Sequence, residues 1–122
     1  MPVILKINPQ TGVVHSTFFG VVTDQELLSH SQTIASHPDF RAKFDEIIDL
    51  TMVTDLQVSP TAMQELAGRK SVFQPSAKHV IVAPKDFSFE KAQEFKRMAE
   101  SSRPTLRVAR TSAEAYEILG LK

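Results

Sequence analysis

Apolar positions along this chain switch repeatedly between a period of two and a period near 3.6, and the switches mark out nine elements. Val3-Ile4-Leu5-Lys6-Ile7 and the segment from Val13 to Val22 are rich in β-branched and aromatic residues. Between them Asn8-Pro9-Gln10-Thr11-Gly12 carries turn chemistry, so the pair predicts an antiparallel hairpin. Thr23-Asp24-Gln25-Glu26 then reads as a capping box, its hydroxyl and carboxylate placed to satisfy amides at a helix start. Leu27, Leu28, Ser31, Ile34 and Ala35 form the inner face of that helix. His37-Pro38-Asp39 stops it, because a residue before proline is pushed out of helical geometry.

Strand and helix alternate from there. Phe44-Asp45-Glu46-Ile47-Ile48-Asp49-Leu50-Thr51 reads as a buried strand, and Met52 to Val58 as a polar-apolar loop beyond its carboxyl end. Ser59-Pro60 opens a helix with Ala62, Met63, Leu66 and Ala67 inward. Val80-Ile81-Val82-Ala83 is a continuous apolar run, the mark of a parallel strand buried on both faces. A helix over about 87–101 carries the stripe Ala92, Phe95, Met98 and Ala99 and ends at Ser102-Arg103-Pro104. Leu106 and Val108 alternate with Arg107 and Ala109 as an edge strand. Thr111-Ser112-Ala113-Glu114 is a second capping box, opening a last helix with Ala115, Tyr116 and Leu119 inward and Gly120 as its stop. The order is ββαβαβαβα. Right-handed crossovers then favour one α/β domain over residues 1–122: a hairpin at one edge, three further strands in parallel, and helices packed on the sheet.

Composition narrows the function classes. Of 122 residues 42% are hydrophobic, enough for one core without metal or disulfide staples. Lysine plus arginine and aspartate plus glutamate both number 14, so no long-range field draws the chain to nucleic acid or an anionic bilayer. Neutrality also eases self-association and favours a homodimer. With no cysteine, thiolate chemistry and cysteine-ligated zinc are excluded. The opening apolar run is too short for a signal peptide or membrane span, so a cytoplasmic location is the expectation. No cofactor is implied. Gly12, Gly20, Gly68 and Gly120 are too dispersed for a phosphate-binding loop.

The element order, with Ile47-Ile48-Asp49-Leu50-Thr51-Met52-Val53-Thr54-Asp55-Leu56 leading into a serine-started helix, resembles the STAS domain. That family includes anti-sigma-factor antagonists and the cytoplasmic tails of sulfate transporters. The variant looks like small bacterial stand-alone STAS/Sec14-like proteins, and the likeness runs through Ala113-Glu114-Ala115-Tyr116-Glu117-Ile118-Leu119. It implies a STAS-like α/β fold and a regulatory partner of the kinase or sigma-regulator type. In kinase-switched members the loop reads Asp-Ser-Ser-Gly with a phosphorylated serine. Here Gln57-Val58-Ser59-Pro60 keeps only the serine.

Two candidate sites follow. The first is the surface of Asp55, Gln57, Ser59 and Thr61 around the helix start. Ser59 reads as an N-cap worth about 1 kcal/mol, with Pro60 at the first helical position. A phosphate there would add roughly −1.5 to −2 charge at the positive end of the helix dipole. The second is an apolar groove around Phe73, Phe87, Phe89 and Met98, suited to a small apolar molecule or lipid. Phe87 and Phe89 also read as a staple fixing a helix entry. Asp49 and Asp55 flank the first site, but two carboxylates alone make a poor metal site. His30 and His37 are two helical turns apart, about 10 Å, too far for one ion to bridge. His15 and His79 read as structural residues on strands. The leading expectation is a non-catalytic regulatory module, and the alternative is a lipid or small-ligand binder.

Overall fold

The computed structural model describes residues 3–121. Strands β1 (Val3–Asn8), β2 (Val13–Thr23), β3 (Asp45–Gln57), β4 (His79–Val82) and β5 (Leu106–Ala109) alternate with helices α1 (Asp24–Ala35), α2 (Pro60–Gly68) and α3 (Asp86–Met98), and α4 (Ser112–Leu119) closes the order. One sheet contains the strands in sequence order, β1 antiparallel to β2 and the rest parallel. This is the hairpin with three parallel additions that the pattern implied. Among the described residues no helix is long and apolar enough to cross a membrane.

Strand order explains the layering. Each crossover from β2 to β5 advances one strand in the same direction. Right-handed connections therefore stack α1, α2 and α3 on a single face. That face buries Phe18, Val22, Leu50, Val53 and Ile81 against Ala67 and Ala92. Helix α4 has no crossover to make and packs on the reverse face, where Ala115 and Leu119 meet Val13, Ile47, Val80 and Val82. The reverse face of β1 and of the far halves of β2 and β3 carries no helix. Ile4, Phe19, Val21 and Met52 are its exposed apolar side chains.

The expected loop over 52–58 is not a loop. Strand β3 continues through it for a total of 13 residues, paired to β2 as far as Thr23↔Gln57, and only Val58 and Ser59 connect to α2. The reason lies in spacing. Leu50, Val53 and Leu56 recur every third residue, which in a regular strand would send Val53 to the wrong face. Two bulges correct this. From Thr17 to Phe19 β2 advances two positions while β3 advances three, Asp49 to Met52, and from Gly20 to Val21 β2 advances one while β3 advances two, Val53 to Asp55. Leu50, Val53 and Leu56 all then join the core beneath the helices. Gly20, at φ 71°, supplies the left-handed backbone between the two shifts. Lys85 Nζ donates to the Val53 carbonyl at 3.1 Å, covering part of the edge that β3 exposes beyond β4.

Helix ends follow their caps with small departures. Glu26 accepts from the Thr23 amide at 2.9 Å, and Thr111 Oγ1 accepts from the Glu114 amide at 3.1 Å. The Glu114 carboxylate reaches one residue further back, to the Arg110 amide at 3.1 Å. Gly120 at φ 75° ends α4. The buried residues of α1 are His30 and Ile34, Leu27 and Ser31 of the expected inner face line the space beneath it, and Ala35 is exposed. Helix α3 stops at Met98, three residues before the expected end, with Ala99 as its cap.

Candidate functional site

Between the three-helix layer and the sheet lies a run of adjoining cavities. The inner one, beneath the helices though partly open to solvent, measures about 100 Å³ and is lined by Phe18, Ile48, Leu50 and Ile81 of the sheet, Leu27 of α1, Leu66 of α2, and Lys91, Ala92 and Phe95 of α3. A second, of about 80 Å³, shares Phe18, Leu27, Ile48, Leu66 and Phe95 and adds His30, Glu46, His79 and Arg103. A third, of about 160 Å³, shares Ser71, Phe73, His79 and Arg103 with the second and reaches the exposed Lys70, Gln74 and Pro75. The polar share of the lining therefore rises from each cavity to the next, with carbon still predominating in the third.

The middle cavity rests on buried polar pairs. His30 Nε2 lies 2.6 Å from Ser16 Oγ, and His79 Nδ1 lies 2.7 Å from Glu46 Oε1. All four side chains are buried. Ser16 has no other hydrogen-bond partner among the described residues, so its hydroxyl proton is best satisfied by donating to His30 Nε2. That places the His30 proton on Nδ1, which has no partner among the described residues. The ring stands edge-to-face with Phe18 at 4.9 Å. Burial lowers the His30 pKa, and the Glu46 carboxylate opposes the shift only in part.

A pH dependence follows. His30 stays neutral in the fold, while in the unfolded chain it protonates near its ordinary 6.5. Its contribution is complete above that pH and is lost as pH falls below it towards the lowered folded-state value. Urea midpoints should drop between pH 7.5 and 5.5, and drop less in His30→Gln, which keeps an acceptor for Ser16. An unchanged slope in His30→Gln would assign the dependence to other groups.

Arg103 bridges the middle and outer cavities. Its Nη1 donates to the Leu66 carbonyl at 3.2 Å and to Ser102 Oγ at 3.1 Å. Burial lowers its pKa, opposed by the Glu46 charge and reinforced by Arg69. Arg69 itself is occupied by Glu65 and the Leu28 carbonyl, both at 2.8 Å. Among the described residues neither Arg103 nor Lys70 has an ion-pair partner.

The residues expected around Ser59 occupy one end of the molecule. Asp55 and Gln57 are exposed on β3, joined by a 3.3 Å bond from Gln57 Nε2 to Asp55 Oδ2, and Thr61 is exposed in the first turn of α2. Ser59 is half-buried and caps α2, its Oγ accepting from the Ala62 amide at 3.1 Å. Its own amide and hydroxyl donate to the two oxygens of Asp24, at 2.7 and 2.8 Å. Asp24 thus ties the start of α1 to the start of α2 and sits where both helix dipoles favour a negative charge. Asp24→Ala should cost about 2 kcal/mol and Ser59→Ala about 1 kcal/mol. The double variant should cost less than their sum, as chemical denaturation would show.

The four residues of the expected apolar groove do not meet. Phe73 packs with Val14, Ile34 and Phe44 and against Phe40 and His79. Phe89 and Met98 pack on the Phe18 core, Phe89 beneath Arg110 at 3.8 Å, and Phe87 is exposed. Only Phe73 lines a cavity of the run. Asp49 accepts from the Thr51 amide at 2.9 Å and lies 3.7 Å from His15 Nε2. His37 lies beyond α1, and His15 and His79 are on strands as expected. The pattern missed Ser16, His30, Glu46 and Arg103 as one cluster. Glu46, a charge at an inward position of an apolar strand, was the available signal.

Neither protein-family models nor curated proteins give a match to this chain.

Proposed function

We propose that the protein is a non-catalytic binding module holding a small, mainly apolar molecule between its helix layer and its sheet. One observation carries the reading: an almost purely carbon-lined cavity adjoins a second that is lined in part by a buried polar cluster. Ligand sites combine these two features, an apolar body and a few converging polar groups. An engineered apolar cavity of about 150 Å³ takes benzene; the inner two spaces, about 100 and 80 Å³, reach that scale together. The ββαβαβαβα order and the resemblance to STAS/Sec14-like proteins lend further support. Native mass spectrometry of gently purified protein is expected to show a co-purifying apolar mass, absent from Ala92→Phe, which fills the inner cavity. Unliganded protein whose Ile48 and Ile81 methyl resonances ignore benzene and xenon would overturn the reading.

A second reading is a regulatory docking module of the anti-sigma-antagonist kind. It is favoured by Phe19, Val21 and Met52, exposed on the face of β2 and β3 that no helix covers, beside Asp55. Such a patch suits a protein partner of the kinase or sigma-regulator type, or a second copy. A phosphate on Ser59 would face the Asp24 carboxylate and sever the tie between α1 and α2. Met52→Glu should abolish binding to a purified regulator of that class without loss of helicity, as calorimetry would read. Unaltered affinity would remove this reading.

A further inference from the structure

The three cavities form a graded path, and the grade specifies a ligand. The inner end offers Phe18, Ile48 and Leu66 with almost no polar surface, and the outer end offers Lys70 and Arg103. Both cations lack an ion-pair partner among the described residues, and Arg103 is only partly exposed. A half-buried guanidinium without a counter-ion loses hydration that an anion would restore. Glu46 fills that need only in part: its charge opposes the effect of burial on Arg103, but its carboxylate is buried and held by His79 at 2.7 Å. It also sets the position of an incoming anion. Repulsion from Glu46 keeps a negative group out of the middle cavity and at the outer side of Arg103, towards Lys70.

Resting on the binding reading above, we infer that the ligand is a single-chain amphiphile with an anionic head, a carboxylate or a phosphate monoester. Its tail lies between Phe18, Ile48 and Leu66, and its head lies at Arg103 and Lys70. Two cations at the outer end against one at the inner end set the direction of head and tail. A tail at the outer end would strip water from two charges, and a head at the inner end would meet almost no polar surface and a single cation, Lys91.

Four probes of one chain length test this: octanoate, octyl phosphate, octanol and octyltrimethylammonium, each titrated against the full chain by calorimetry and methyl NMR. The better of the two anions should bind about tenfold tighter than octanol, the advantage expected of one charge-assisted contact. Which anion is tighter identifies the head group. The advantage should shrink with added salt. Lys70→Gln, at an exposed position that cannot endanger folding, should remove a few-fold of it, and Arg103→Gln should remove nearly all. Octanol binding should survive both. Equal binding of octanol and the anions, or tighter binding of the cation, would overturn the anionic head while leaving the apolar site intact. Failure of all four probes, with benzene also ignored, would overturn both readings.

Discussion

Replacing Glu46 by alanine should destabilise the protein by about 3 kcal/mol, the usual cost of removing one member of a buried pair. Glu46 and His79 are among the buried polar residues of a core that is otherwise mostly apolar, and Glu46 Oε1 is the acceptor opposite His79 Nδ1. The consequences reach further than one hydrogen bond. The Glu46 charge also opposes the burial-driven shifts at His30 and Arg103, so its removal leaves a half-buried guanidinium with less support. Glu46→Gln separates shape from charge. The amide oxygen still accepts from His79, and the loss should fall to about 1 kcal/mol. Replacing both partners by leucine should recover much of the loss, since paired removal leaves no orphaned group. Urea midpoints at pH 7.5 measure all three. A Glu46→Ala midpoint indistinguishable from that of the unaltered protein would mean that the pair carries no weight.

Most of the fold was legible because its local signals agree with one another. Thr23, Ser59 and Thr111 sit at N-caps, Gly120 ends α4, and the apolar run at Val80 is a strand buried on both faces. Where local and global demands differ, the pattern misled. Leu50, Val53 and Leu56 have a spacing of three that matches neither a strand nor a short loop. Only the β2 partner, with Gly20 in a left-handed conformation, shows that two bulges turn that spacing into strand. Register is a property of two strands, and one strand's sequence does not contain it.

The site was less legible for a related reason. Ser16 and His30 are 14 positions apart, and Glu46 and His79 are 33 apart. These residues come from β2, α1, β3 and β4, with Arg103 from the turn before β5. Each is unremarkable within its own element. The aromatic residues misled in the opposite direction, because nearness along the chain suggested a cluster. Phe87 and Phe89 lie near one another in sequence, yet one is exposed and the other packs on the core beneath Arg110.

Phe18→Ala is the substitution with the largest expected effect, about 3–5 kcal/mol. Phe18 is only 2% exposed, lies beneath the helix layer, and lines both the inner and middle cavities. Its ring also meets His30 edge-on, so truncation removes an aromatic contact and leaves the His30 ring less well held. The lost ring would merge the two cavities into one larger apolar space. Close-packed neighbours collapse only partly into such a space, and the residual void sets the upper part of the range. The same void should make the variant a better receptor for benzene than the unaltered protein, returning part of the lost stability in proportion to ligand concentration. Thermal unfolding with and without benzene measures both quantities. A Phe18→Ala protein that loses less than about 1 kcal/mol would show that the helix layer closes onto the sheet when the ring is removed. The cavities would then be a pliable seam, and a ligand would enter by moving α2 and α3 apart.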